Sequence, residues 1–298
     1  MQVIEQKNAV HVQPSGAALG ADVAGVDLSQ DLSETEQEII KQAWADNLVL
    51  RFRRQPKLEV EDLVRFSRYF GDLDKAPPAS TQMGEDFAWQ HPEITVISNV
   101  VANGKPIGDL GSSEAVWHSD MTYNPKPPKG SALYAIEIPP AGGNTQFANM
   151  YLAYETLPDR LKSRIADLRC VHDASRNSAG GLRKGYVDNT DPRETVGATH
   201  PMVRVHPVTG KKCLFLGRRR KAYIVGLELE DSEALLNELW QHACQDSFVW
   251  TQEWQLGDLV LWDNRCTMHR RDAFDPNTRR LLYRTQVTGE EVLAAAEA

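Results

Sequence analysis

Cysteine is scarce in this chain: Cys170, Cys213, Cys244 and Cys266 lie far apart among 298 residues, with no C-x-x-C pair. That spacing offers neither a disulfide framework nor the paired thiolates of a structural zinc site. No apolar run approaches the roughly 20 residues a membrane helix needs, and the opening MQVIEQKNAV has neither a basic region nor an apolar core. A signal peptide is therefore not expected, and a cytoplasmic location is. Basic charge is also in deficit, with 33 Lys and Arg against 41 Asp and Glu. A net charge of −8 works against chain-wide attraction to phosphate backbones, so neither nucleic acid nor membrane is an expected partner. Internal repeats, low-complexity tracts and a G-x-S-x-G nucleophile elbow are absent as well, the last excluding a hydrolase of that type.

What is present is ordinary for a globular protein: 41% hydrophobic and 25% charged residues. A chain of this length buries roughly 75% of its unfolded surface and needs no covalent staples. One domain over 1–298 is expected. Short strands are expected within 11–29 and at 48–54, 92–100 and 130–140, the last stopped by Pro139-Pro140. Residues 200–217 read as a hairpin turning at Thr209-Gly210, 248–269 as two strands around Gly257-Asp258, and 279–289 as a final strand. Helical periodicity marks 33–47, opened by a Ser33/Glu36 capping box, 57–71 with Gly71 as its stop, 158–168, and 231–245 capped by Asp231 or Ser232. Residues 101–116 read as a polar loop. Residues 174–199 show no sustained period, and a loop that long is expected to act as a lid or mobile segment over a site. Many short strands with a few outlying helices point to a sandwich or barrel core rather than a parallel sheet.

Against only eight His in the chain, WHSDMTY (117–123) places one two residues before an Asp. On a strand, positions i and i+2 share a face, so His118 and Asp120 would aim a nitrogen and a carboxylate oxygen at one spot. They can pair with each other at the surface, or hold a metal. A later strand, LVLWDNRCTMHR, offers His269 as a second imidazole. Two His and one carboxylate leave coordination positions open, the arrangement of non-heme Fe(II) oxygenases. Cys266 lies at an odd offset from His269 and is not expected to join it.

These residues carry a specific resemblance. The pattern H-x-D, Thr, a long interval, His and then Arg resembles the taurine/2,4-dichlorophenoxyacetate (TauD/TfdA) family of Fe(II)/2-oxoglutarate-dependent dioxygenases. Here 24 residues separate Asp120 from Thr145, 123 separate Thr145 from His269, and 10 separate His269 from Arg280. Flanking words such as PPAGGNTQFANMYLAYETLP and GDLVLWDNRCTMHR agree. The resemblance spans roughly residues 10–290. It implies a mostly β chain with flanking helices around a double-stranded β-helix (jelly-roll, cupin-like) core. It also implies Fe(II) on His118, Asp120 and His269, with 2-oxoglutarate and O2 as co-substrates. Thr145 and Arg280 match the positions that hold the distal carboxylate of 2-oxoglutarate; an Arg fork and a hydroxyl donor suit that task. Asp120 favours hydroxylation over halogenation, since related halogenases leave that site to chloride. Family relatives also imply a homo-oligomer, a dimer or tetramer.

For the substrate, the resemblance implies a small anionic organic molecule. Arg284, four residues after Arg280, would share its face on a strand and matches the position that grips the substrate anion; a structural salt bridge is the alternative. Met121 is a candidate for the substrate side or the core. Three consecutive Arg in GRRRKAY (217–223) read as an anion-recruiting rim or a solvated turn. Taurine enzymes tend to read F-G-x-L-H-x-H-P where this chain reads FGDLDKAP, with Asp74 and Ala76 at the His positions. Taurine itself is thus disfavoured, and an aryloxyalkanoate-type acid, with ether cleavage after hydroxylation, is expected. The alternatives are a sulfonate or other aliphatic or amino-acid-derived acid and, from a different class, a non-catalytic metal-binding jelly-roll acting as a sensor.

Overall fold

The computed structural model describes residues 9–76 and 85–295. Its centre is a pair of sheets. The larger runs, in spatial order, His11–Pro14, Ala21–Ala24, Val49–Phe52, Leu259–Asp263, Gly130–Glu137, Leu281–Val287, Thr95–Ser98 and Asp109–Leu110. The smaller runs Val249–Gln252, Thr145–Asn149, Thr267–Arg271 and Ala115–His118. The chain passes from large to small sheet three times, between Leu110 and Ala115, between Glu137 and Thr145 and between Asp263 and Thr267, which closes the double-stranded β-helix.

The alternation of side chains explains why the central strands are apolar throughout. In Leu259–Asp263, Leu259 and Leu261 face outward into a cluster with Ile40, Ala43 and Trp44 of helix Glu34–Asn47 and Leu63 and Phe66 of helix Val60–Arg68. Val260 and Trp262 face inward, Trp262 against Phe147 and His269 of the small sheet. Gly130–Glu137 repeats the pattern, with Ala132 and Tyr134 outward and Leu133 and Ala135 inward. A sheet covered on both faces needs apolar residues on both, and each Leu, Val or Phe so buried contributes about 1.5–3 kcal/mol. The first helix is fixed by the expected capping box: Glu36 N donates to Ser33 Oγ at 3.3 Å, and Ser33 N donates to Glu36 Oε2 at 2.7 Å.

Several expectations shift. Helix Val60–Arg68 ends with its cap at Tyr69, so Gly71, at φ +139°, lies two residues beyond the cap instead of stopping the helix. The helix Leu229–Ala243 starts earlier than its periodicity implied, with Glu228 at the N-cap, while Ser232 Oγ accepts Ile224 N from a neighbouring strand. The loop at 101–116 holds a small hairpin, Val101–Ala102 against Lys105–Pro106, and the edge strand Asp109–Leu110. Residues 248–269 form three strands that pair with other partners, not with one another across Gly257. No helix among the described residues is long and apolar enough to cross a membrane.

Candidate active site

His118 and His269 sit opposite each other in the antiparallel ladder between Ala115–His118 and Thr267–Arg271, which brings their ring centroids to 4.2 Å. Asp120 does not get there by strand alternation, because the strand ends at His118 and Asp120 begins a turn in which Met121 adopts φ +47°. A tertiary clamp places it instead. Asn264 accepts Asp120 N at 2.6 Å through Oδ1 and donates Nδ2 to Asp120 O at 3.0 Å. Asp120 Oδ1 then lies 3.6 Å from His118 Nε2 and 3.8 Å from His269 Nε2.

All three side chains are buried, and their donor atoms lie within 4.8 Å of one another. The His118 Nδ1 position contacts Val116 O at 2.7 Å, which leaves Nε2 facing Asp120. Burial, with His118 beside it, pushes His269 down to about 3, so its imidazole is neutral and its lone pair available. Burial alone would raise the Asp120 carboxyl. Arg284 and the two imidazoles outweigh burial and hold it well below the usual carboxylate range. Two imidazoles and one carboxylate, with no thiolate, suit a divalent ion with open positions.

His206, Asp263 and Cys266 form a second compact buried group. Its carboxylate is fully engaged: Arg265 Nε and Nη2 donate to the two Asp263 oxygens at 2.9 and 2.7 Å, and His206 Nε2 lies 3.0 Å from Oδ2. Its chemistry is that of a structural ion-pair knot at the turn carrying Asn264. Cys266 precedes the strand of His269 and lies outside the first triad.

Further from the triad lie a buried Thr, Thr145, and two buried guanidinium groups, Arg271 and Arg280. Thr145 pairs with Arg271 across the ladder, one alternation beyond the Phe147–His269 pair, about 7 Å along the strand from the triad. Trp254 Nε1 donates to Thr145 Oγ1 at 3.0 Å, leaving the Thr145 hydroxyl hydrogen free to donate. Arg280, 1% exposed, packs its side chain against Gly143, where an added Cβ would lie 3.2 Å from Arg280 Nε. Arg280 Nε and Nη1 are buried without a partner. Burial, with Arg271 nearby, lowers its pKa to about 9. An orphaned buried guanidinium beside a free hydroxyl fits the distal carboxylate of 2-oxoglutarate. Alternation holds along the strand Leu281–Val287, with Leu281 and Tyr283 in the outer cluster and Leu282 in the inner one, and the register irregularity falls on the partner strand at Glu137 and Ala135. Arg280, whose backbone extends the pairing through Asn99, and Arg284 therefore share the inner side as expected, Arg284 lining the cavity and Arg280 lying further along.

That cavity, of about 660 Å³, opens beside His118 and Asp120. Its walls carry Ile97, Leu110, Met121, Tyr123 and Leu182, and four cations: Arg183, Lys184, Arg218 and Arg284. Among the described residues, Asp120 is the sole acid in its lining. Arg284 Nη1 contacts both Asp120 oxygens at 3.2 Å, while its Nε is buried without a partner; it is a salt-bridge partner and a cavity wall at once. The run GRRRKAY divides. Arg218 is buried at the cavity, with Nη1 donating to Arg176 O at 2.6 Å, while Arg219 forks onto Glu233 and Asn237 outside. Gly217, at φ +66°, is required there, since a Cβ would fall 2.2 Å from His172 Nδ1.

Sequence reasoning missed Asn264, Trp254, Arg183, Lys184 and Arg271. Asn264 stands in the quoted word WDNRCTMHR, yet its partner is 144 residues away. Asp74, at the first altered His position, accepts Thr288 Oγ1 at 2.7 Å and does not line the cavity.

Residues 11–286 match the family model described as "Taurine catabolism dioxygenase TauD, TfdA family". The chain is 33% identical to the α-ketoglutarate-dependent 2,4-dichlorophenoxyacetate dioxygenase of Cupriavidus pinatubonensis, over 95% of this chain and 99% of that one. It is 33% identical to pentalenolactone F synthase of Streptomyces avermitilis, over 90% of both chains. A crystal structure of a taurine dioxygenase from Burkholderia xenovorans superimposes with a TM-score of 0.78 at 33% identity, covering 97% of this chain and 92% of that one. A whole-length match of this kind, on a jelly-roll carrying a buried His-Asp-His triad, leads to one conclusion: the chain belongs to the TauD/TfdA family and is an Fe(II)- and 2-oxoglutarate-dependent dioxygenase.

Proposed function

We propose that this enzyme hydroxylates a small organic acid, with an aryloxyalkanoate-type acid as its substrate class. His118, Asp120 and His269 hold Fe(II). Thr145 and Arg280 hold the distal carboxylate of 2-oxoglutarate, and Arg284 with Arg218 engages the substrate's anionic group while Met121 lines its path. When bound, Fe(II), 2-oxoglutarate and O2 supply a hydroxylation coupled to release of succinate and CO2. If the hydroxylated carbon bears an ether oxygen, the product is a hemiacetal that collapses and cleaves the ether.

The observation that carries this reading is the cavity's imbalance: among the described residues, four cations and several apolar or aromatic side chains stand around the triad's edge, with Asp120 as the lone acid. An anion attached to an apolar body satisfies both kinds of wall. A 2,4-dichlorophenoxyacetate dioxygenase among the relatives supports the aryloxy class. We also propose that 174–199 acts as a lid. Support comes from Asn177, Ser178, Leu182, Arg183, Lys184 and Tyr186, which line the cavity, and from the bond of Arg218 to Arg176 O. The same cations suit a sulfonate or sulfate ester, so one experiment compares the classes. Succinate formation dependent on Fe(II) and 2-oxoglutarate is measured with aryloxyalkanoates, alkyl sulfonates, sulfate esters and aliphatic acids. The proposal expects aryloxyalkanoates to stimulate succinate release most, matched by released phenol. Equal stimulation by the corresponding neutral amides contradicts it.

A further inference from the structure

Arg271 is a second buried guanidinium that the family pattern does not call for. It follows His269 by two residues on the same strand, so both side chains leave one face, and it stands directly across from Thr145. Its Nη2 donates to Leu110 O at 3.0 Å and to Ser113 O, but Nε and Nη1 are buried with no partner. Arg280 has the same two orphaned nitrogens. Both guanidinium carbons lie near one ring, 5.5 and 5.8 Å from the Phe274 centroid. Among the described residues neither Arg has a carboxylate partner. Two buried like charges around one aromatic ring are unfavourable by themselves, and the ring's negative face offsets only part of that cost. An anion entering between them removes the mismatch.

We propose that Arg271 is a second co-substrate ligand: the distal carboxylate of 2-oxoglutarate bridges Arg271 and Arg280, with the Thr145 hydroxyl as a third donor. This rests on the dioxygenase reading above and adds a residue to it. The bridge has a consequence for the neighbouring cavity. The Arg271 nitrogen that does not face the carboxylate holds the carbonyl of Leu110, and Leu110 lines the substrate cavity at φ +72°. Fixing the guanidinium plane with a carboxylate therefore fixes one wall of the substrate site.

The test uses full-length enzyme loaded with Mn(II) and the non-reactive analogue N-oxalylglycine, its dissociation constant read by calorimetry. Arg271→Gln is expected to weaken binding about tenfold or more, the loss of a charge-assisted hydrogen bond. Arg271→Lys, which keeps the charge without the fork, is expected to fall between it and wild type. Binding by Arg271→Gln within twofold of wild type overturns the proposal. If that variant does not fold, a crystal structure of the wild-type complex decides: carboxylate oxygens within hydrogen-bond distance of both guanidinium groups support the bridge, and contact with Arg280 alone overturns it. Failure of the Mn(II)-loaded wild type to bind the analogue at all defeats the assignment of this pocket to 2-oxoglutarate, and the bridge with it. Normal wild-type binding with an indifferent Arg271→Gln defeats only the bridge.

Discussion

Asn264 holds Asp120 by its backbone, accepting the amide at 2.6 Å and donating to the carbonyl at 3.0 Å, with a further bond from the same Nδ2 to Pro128 O at 2.9 Å. The carboxylate at the centre of the triad is thus aimed by a residue that never touches it.

Replacing Asn264 with Ala removes all three bonds and frees the turn. Outer-shell losses of this kind weaken metal binding about 10–100-fold. Anaerobic Mn(II) titration of Asn264→Ala is expected to show that drop, with about 1–3 kcal/mol lost from the stability of the metal-free protein. Unchanged Mn(II) affinity means that Asp120 is positioned by its own turn.

Arg280 gives a prediction of unusual sign. In the absence of an anion it is a buried cation with two orphaned nitrogens. Arg280→Met therefore leaves the melting temperature of the unliganded protein unchanged or raised. Its cost appears only with co-substrate. Wild type gains about 2.7 kcal/mol when 2-oxoglutarate is present at 100 times its Kd, and the variant gains almost none. Thermal melts of metal-loaded protein with and without 2-oxoglutarate check both halves.

Asp263 makes a pH prediction. Burial would raise its carboxyl, but the Arg265 fork and His206 outweigh burial and hold it well below the usual range. The unfolded value is about 3.9. A depressed folded value means that the stabilisation is complete above pH ~4 and is lost as pH falls toward the folded value. Asp263→Asn lacks it at every pH and is expected to lose about 3–5 kcal/mol near neutrality. Urea unfolding from pH 7 down to pH 3 is expected to show a steep decline for wild type below pH ~4 and a flatter one for the variant. Parallel declines contradict the assignment.

How far the sequence could be read depended on whether the cause was local. The capping box at Ser33 and Glu36 follows from short-range spacing and appears as read, whereas the partners of the strands in 248–269 are set by distant segments and do not. His118 and His269 were legible because metal chemistry restricts the residue types, and the strand register then brings them face to face. The placement of Asp120 was legible as an outcome but not as a mechanism, since its clamp joins residues 144 apart. The three Arg of GRRRKAY look alike in sequence. The tight turn at Gly217 sends Arg218 to the cavity, while the helix carrying Glu233 draws Arg219 outward. Arg271 was invisible because an unpaired buried cation has no sequence signature.

The central claim is that His118, Asp120 and His269 together hold one ferrous ion. Protein reconstituted anaerobically with Fe(II) and passed through gel filtration is assayed for iron per chain. The account predicts about one iron per wild-type chain, near-complete loss in His118→Ala, Asp120→Ala and His269→Ala, and full retention in Cys266→Ala. Iron retained by all three triad variants, or lost from Cys266→Ala alone, contradicts it.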